Sequence, residues 1–175
     1  MASGAFNAKA ALLLTPLVSS TASLVLAWDH HIFLSVFTRR ETQAHSNAIL
    51  PQYWRVFFPR GLTQVISLLG VTTSASVAAV VAYRGLLQRR GALRWYVATA
   101  ALAVGHLVFA PLVAGPIKSM LDDEGGEGKG KGEGEGRTNV DAQREWLRVN
   151  VVRMLTADLG AWQLCQQLCQ KLALE

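Results

Sequence analysis

Three long stretches without Asp, Glu, Lys or Arg constrain this chain more than any other feature of its sequence. They cover residues 10–28, 61–83 and 95–117. A helix of about 20 apolar residues crosses the ~30 Å hydrocarbon core of a bilayer, so each stretch is long enough to span a membrane. Because a bilayer offers no water to the backbone, each span is expected to be helical. The sequence therefore predicts an integral membrane protein.

The charge balance agrees with this class and argues against several others. Charged residues make up 17% of the chain, below the ~25% that is usual in soluble domains, and the net charge is +5. The basic residues occur in short clusters between the apolar stretches instead of forming one patch, so we expect no nucleic-acid partner. Two cysteines do not make a disulfide framework. An ordinary soluble enzyme and a small secreted scaffold are both excluded.

The first apolar stretch has an alternative explanation. Lys9 before the apolar residues, with small residues near Ala22 and Ala27, also fits a signal peptide. Because two further spans follow, we interpret this stretch as a retained first helix. The residues after it stay largely apolar, which extends the predicted helix to residue 37.

The last segment, 141–174, is apolar enough to be a fourth helix although it carries charges. We expect Arg148, Arg153 and Asp158 to face the interior of a helix bundle. The alternative is an amphipathic helix lying on the membrane surface.

Together these segments predict an all-α fold, a four-helix transmembrane bundle that forms a single domain over residues 1–175. The helices are expected over about 10–37, 61–84, 93–118 and 142–172. Residues 38–60 mix charges with aromatic rings, which favour the headgroup level, so they are expected to form an ordered interfacial loop. Residues 122–137 are rich in Gly, Glu and Lys and are expected to be a flexible linker.

The glycines of that linker do not form a phosphate-binding loop. Residues 125–131 fit the first part of a Walker A motif, but Gly132 stands where the motif needs Ser or Thr. A nucleotide-binding function is therefore not expected.

Ionisable side chains at membrane depth are costly and mark candidate functional sites. Asp29, His30 and His31 lie at the end of the first stretch, within the extended helix. A histidine that faces inward and is hydrogen-bonded to a carboxylate can act as a general base near neutral pH. The alternative is a polar cap at the membrane interface, with all three side chains solvated.

Two further groups of polar residues are candidates. His106 stands in the middle of the third span, where it either packs with a satisfied hydrogen bond or lines a cavity. Asn150 and Arg153 share a helix face with Trp146 one turn before, and this stripe can hold an aromatic or oxygen-rich ligand. The alternative is that Arg153 extends to the interface. On an ideal α-helix Arg153 and Asp158 diverge by about 140°, so each is expected to pair with another helix.

The remaining histidine and the cysteines are expected to have no chemical role. His45 belongs to the polar loop and is expected to be exposed. Cys165 and Cys169 are one turn apart and are expected to be small packing residues, because two thiolates alone make an incomplete zinc site. We expect no metal site.

Three features of the chain point to a known family. These are four predicted spans in fewer than 200 residues, the segment LPQYW at 50–54, and the closing W-x-x-x-N-x-x-R pattern that begins at Trp146. In these features the chain resembles the anthrone-oxygenase-like family of small fungal integral membrane proteins. The resemblance covers most of the chain apart from the linker. It implies a monooxygenase of polyketide and secondary-metabolite biosynthesis that oxidises the central methylene of an anthrone to a quinone carbonyl with O₂.

The resemblance also implies partners and roles. The substrate would be a lipophilic aromatic molecule that partitions into membrane lipid, and no cofactor would be needed besides O₂ as co-substrate. One histidine would act as the base, an arginine would stabilise the anion, and tryptophans would stack on the planar substrate. The implied catalytic residues are His30, His31, Asp29 and Arg153, and the implied substrate-binding residues are Trp54, Trp146, Asn150 and His106.

Two other functions remain open at this point. The chain could be a non-catalytic membrane protein that binds or transports a lipophilic metabolite, or a membrane cyclase or isomerase of a biosynthetic pathway. The discriminating feature is a cavity that both Arg153 and His30 or His31 reach, with room for two or three fused rings. In each case we expect a multi-pass protein of the endomembrane system, such as the endoplasmic reticulum.

Overall fold

A computed structural model describes residues 7–123 and 137–173, and it arranges them as four helices without a strand in those ranges. Helix α1 covers Ala8–Ser35 and is followed by a 3₁₀ turn, Val36–Thr38. Helix α2 covers Arg40–Arg89. Helix α3 consists of Leu93–Gly105, a 3₁₀ segment His106–Phe109, and Ala110–Leu121. Helix α4 consists of Asn139–Arg153, a π-helical turn Met154–Asp158, and Leu159–Ala173. The predicted all-α, four-helix fold is confirmed.

Three of these helices are long and apolar enough to cross a membrane, namely Ala8–Thr38, Arg40–Arg89 and Leu93–Leu121. Helix α4 packs against the other three instead of standing apart. Its Arg153 and Asp158 side chains are buried, as expected for a helix of the bundle interior. Arg148, in contrast, is exposed, so the expectation that it faces inward is wrong.

Helix α2 begins at Arg40, well before the predicted start at residue 61. The segment predicted as an interfacial loop is therefore ordered but helical. Its buried side chains Ser46, Leu50 and Trp54 recur every four residues, a helical period that its many charges conceal. Helix α2 is kinked at Tyr83, whose φ of −125° and ψ of 25° are not helical. At about 1.5 Å per residue the part before the kink is roughly 65 Å long, so it extends beyond the hydrocarbon core of a bilayer.

The turn between α2 and α3 is closed by a glycine. Gly91 has a φ of 61°, the left-handed conformation that favours glycine. The N–H of Gly91 donates to the carbonyl of Gln88 at 3.0 Å, and the N–H of Ala92 donates to the carbonyl of Leu87 at 2.8 Å. This pair of bonds is the Schellman motif, which ends a helix and satisfies its last carbonyls.

Helix α4 starts at a capping box. The Asp141 N–H donates to the Thr138 hydroxyl at 3.2 Å, and the Thr138 N–H donates back to the Asp141 carboxylate at 3.3 Å. This cap starts the helix at Asn139, three residues before the predicted boundary. Most of the predicted linker falls on residues 124–136, which lie outside the described residues.

Two apolar clusters fill opposite ends of the bundle, and polar side chains lie between them. The members of the first cluster are Leu34, Leu50, Trp54, Ile117, Met120, Val140, Ala142, Trp146 and Leu147. The members of the second are Leu13, Ala79, Leu87, Ala92, Tyr96 and Leu168. Cys165, which is buried beside Thr99, and Cys169 are both free thiols. His45 is exposed, as expected.

Candidate functional site

A cavity of about 160 Å³ lies between all four helices, next to the first apolar cluster. Its walls are mostly apolar, and its polar lining comes from three ionisable side chains, His30, His106 and Arg153. The indole rings of Trp54 and Trp146 complete that end of the cavity. Five of the eight predicted site residues therefore meet at one cavity.

His106 is held by a carboxylate that faces it from α4. Its Nδ1 lies 2.8 Å from Oδ1 of Asp158, and the two residues are only 6% and 5% exposed. Because an ionised carboxylate can only accept, the Nδ1–H donates in this bond. In the neutral imidazole Nε2 is then the nitrogen that carries the lone pair. This is the arrangement that orients a histidine to act as a base.

The second oxygen of the same carboxylate faces an arginine. Oδ2 of Asp158 lies 3.4 Å from Nε of Arg153. Arg153 also donates from Nη2 to Oδ1 of Asn150 at 2.7 Å, and Asn150 in turn donates to the carbonyl of Ala27 on α1 at 3.2 Å. Asn150 does not line the cavity, so it positions the arginine instead of contacting a ligand.

The π-helical turn Met154–Asp158 explains why Arg153 and Asp158 pair with each other. The prediction that they diverge assumed an ideal α-helix and is wrong for this reason. In a π-helical turn the hydrogen bonds run from residue i to i+5, so residues five apart come to the same face. The wider turn brings Asp158 next to Arg153, which lines the cavity, and next to His106.

The two cavity tryptophans are fixed by buried contacts. Nε1 of Trp54 donates to Oε1 of Gln143 at 2.8 Å. The rings of Trp54 and Trp146 pack edge to face, with centroids 5.4 Å apart. Both indoles are therefore held rigidly as an aromatic wall, a surface on which a planar ligand can pack. Gln143 could not be predicted as part of the site, because a lone glutamine in a charged helix segment gives no signal of a buried hydrogen bond.

The candidate residues of α1 separate from one another. His30 lines the cavity and packs edge to face against Phe57, with ring centroids 5.0 Å apart. His31 is half-buried on another side of the helix and Asp29 is exposed, and neither lines the cavity. The structure thus places the carboxylate partner of a cavity histidine at Asp158 and not at Asp29. The predicted catalytic roles of these residues stay predictions.

The site combines the imidazoles of His106 and His30, the guanidinium of Arg153, and the carboxylate of Asp158 that faces His106 and Arg153, in apolar surroundings. An isolated charge in such a place is unfavourable, whereas a carboxylate and a guanidinium that face each other compensate their charges. A neutral imidazole beside this pair can accept a proton from a weakly acidic ligand, and the guanidinium can stabilise the anion that results. Within residues 7–123 and 137–173 no group of three or more metal-ligating side chains is placed to hold a metal ion.

Comparisons with known proteins give one family and three related proteins. The profile of a family described as anthrone oxygenase matches residues 54–162. The chain is 31% identical to the epoxidase gkaX of Penicillium citrinum, with 86% of this chain and 88% of that protein covered. It is 28% identical to the epoxidase pydX of an Acremonium species, with 86% and 87% covered. It is also 28% identical to the probable epoxidase scpX of Mollisia scopiformis, with 86% and 89% covered. No solved structure matches the chain.

Proposed function

Because this chain belongs to the anthrone oxygenase family, we propose that it oxidises the methylene group of an anthrone, a lipophilic polyketide, to a quinone carbonyl with O₂. It is a tailoring enzyme of secondary metabolism. The observation that carries the finer proposal is the convergence of His106, Arg153 and His30 on one apolar cavity. We further propose that it works as a multi-pass protein of the endoplasmic reticulum, where an apolar substrate collects in the lipid.

His106 is the proposed base, a role that sequence reasoning gave to His30 or His31. Its Nδ1 is bound to Asp158, which leaves Nε2 to remove a proton from the substrate. Loss of that proton converts the anthrone to a delocalised, phenolate-like anion. Arg153 offers its guanidinium to the oxygen of this anion, and Trp54 and Trp146 provide the aromatic wall against which the rings pack.

The proposed reaction balances without a further reactant. The anion passes one electron to O₂, and the two radicals combine to a peroxide anion at the former methylene carbon. This anion takes the first proton back from the His106 imidazolium and becomes a hydroperoxide. The neutral His106 then removes the second proton from that carbon, which breaks the O–O bond, leaves a carbonyl group and releases hydroxide. The departing hydroxide takes up a proton from the His106 imidazolium and leaves as water. The protein supplies the base, the anion stabiliser and a water-poor cavity, and no cofactor takes part in this proposal.

O₂ uptake by membranes that contain the chain, supplied with emodin anthrone, tests the proposal. We expect quinone formation above the spontaneous rate. His106→Ala should reduce the enzymatic rate by about 10²- to 10⁴-fold, the usual contribution of a positioned general base. The control is His45→Ala, the same replacement at an exposed histidine, which should leave the rate unchanged. An unchanged rate in His106→Ala would move the base elsewhere, and a wild-type rate equal to the background would favour a binding or isomerising function.

Epoxidation of an alkene is a second candidate, because the three related proteins carry the name epoxidase. This reaction places one oxygen atom of O₂ on the substrate and reduces the other to water, so a reductant of the nicotinamide or flavin class would have to supply two electrons. Mass spectrometry after reaction under ¹⁸O₂ separates the two reactions. An anthrone gains one oxygen and loses two hydrogens, whereas an epoxidised alkene gains one oxygen and keeps all its hydrogens.

A further inference from the structure

The cavity at the candidate site is only partly enclosed by protein. Its charged lining is buried, with His106 and Arg153 at most 8% exposed. Three other lining residues, Leu62, Ile66 and Leu107, are 47%, 49% and 45% exposed. The first two belong to α2 and the third to α3, so the cavity opens between these two helices.

The residues that border this opening belong to the apolar parts of both α2 and α3. Leu107 follows His106 in the middle of the Leu93–Leu121 span, and Leu62 and Ile66 lie at the start of the apolar part of α2. Both helices are long and apolar enough to cross a membrane, and exposed leucine and isoleucine side chains on such helices are suited to contact lipid chains. The rim of the opening is therefore apolar.

The volume of the cavity is small for a molecule of three fused rings. A closed cavity of about 150 Å³ binds benzene, so about 160 Å³ accommodates little more than one aromatic ring. The polar groups that could hold a phenol or enol oxygen lie at the closed end. A larger substrate would have to keep the remainder of its rings in the opening.

We propose that the substrate is an amphipathic aromatic molecule that enters from the bilayer between α2 and α3, with its acidic oxygen first. The ionisable end reaches Arg153 and His106, and the apolar body stays in the opening against Leu62, Ile66 and Leu107. This inference rests on the proposed function for the identity of the reacting end. It adds the route by which the substrate enters, the orientation in which it binds, and the requirement that its apolar part be longer than the cavity.

The test measures binding and not turnover. The purified chain in phosphatidylcholine nanodiscs is titrated with emodin, a three-ring phenol, without its anthrone form, and tryptophan fluorescence reports binding. Leu62→Trp and Leu107→Trp narrow the opening and should each weaken emodin binding by about tenfold, the effect of a changed pocket contact. Val81→Trp, on the same helix, 76% exposed and away from the cavity, is the matched control and should bind like the wild type.

Three outcomes would overturn the inference. The first is that emodin does not bind the wild-type chain. The second is unchanged binding in both tryptophan variants at the opening, and the third is equal weakening of binding in Val81→Trp. Thermal unfolding in the same nanodiscs verifies that each variant is folded. Because no oxidation is measured, loss of binding in the opening variants would support the entry route even if the chain failed to oxidise any anthrone.

Discussion

The two oxygens of the Asp158 carboxylate contact different partners inside the bundle. Oδ1 accepts from His106 at 2.8 Å, and Oδ2 faces Arg153 at 3.4 Å. Removing one member of a buried pair leaves the other charge uncompensated, whereas replacing both with apolar groups avoids that cost. The carboxylate thus contributes both to the stability of the bundle and to the orientation of the proposed base.

Asp158→Asn should lower the free energy of unfolding by about 3–5 kcal/mol, because it leaves the Arg153 guanidinium buried without a counter-charge. The double variant Arg153→Met/Asp158→Leu should recover most of that loss but none of the activity. Unfolding of the purified protein by a denaturing detergent measures both variants. A single variant as stable as the wild type would mean that the ion pair contributes little to the fold.

The two adjacent histidines of α1 give a second prediction at this scale. His30→Ala removes part of the cavity wall and should lower kcat/KM by about tenfold. His31→Ala should leave kcat/KM unchanged, because its side chain does not line the cavity. The two variants differ by one position and serve as controls for each other in the O₂-uptake assay. Equal losses in both would contradict the placement of the substrate in this cavity.

Much of the candidate site follows from residue spacing, and one part of it does not. The stripe of Trp146, Asn150 and Arg153 was predictable because its spacing is that of an α-helix face. The contact of Asp158 with Arg153 was not predictable, because it depends on a π-helical turn that apolar periodicity does not reveal. The partner of His106 was equally hidden, because a contact between residues 52 apart in sequence leaves no local pattern.

At the scale of single elements, helix ends depend on specific backbone chemistry. The capping box at Thr138 and the Schellman turn at Gly91 fix the start of α4 and the end of α2. The start of α2 was mispredicted because charges and aromatic rings were interpreted as a loop. A helix that packs on its neighbours along one side tolerates such residues on its other sides.

Gly91→Ala should reduce the free energy of unfolding by about 1–2 kcal/mol, because an L side chain in the left-handed conformation clashes with the backbone. Gly85→Ala is the matched control in the last turns of the same helix. A Cβ at Gly85 would meet only the end of the flexible Arg89 side chain, at 4.0 Å. That replacement should leave stability unchanged or raise it by up to about 1 kcal/mol. Thermal unfolding of the two variants, measured side by side, tests whether the turn at Gly91 requires a glycine. Equal changes in the free energy of unfolding would contradict this requirement.

At the scale of the whole molecule, the two apolar clusters at the ends of the bundle enclose a polar layer around His106, Arg153 and Asp158. The number of helices and their apolar character were predictable, because a bilayer requires about 20 apolar residues for each span. The cavity was not, because it depends on how four helices meet. Gly160 illustrates this, since a Cβ there would lie 3.2 Å from Leu102 on α3. Such close approaches determine the space between helices, and the hydropathy of the sequence does not predict them.

The π-helical turn has a consequence for insertions and deletions. Removing one residue from a packed α-helix normally turns everything beyond it by about 100° and exposes buried side chains. In α4 the wide turn already accommodates one residue more than an α-helical turn needs. If exposed Leu155 or Thr156 were deleted, Arg153 and the aspartate would be four apart, which is still one face of an α-helix. The middle of this buried helix is thus a place where the length of the chain can change while its packing stays in register.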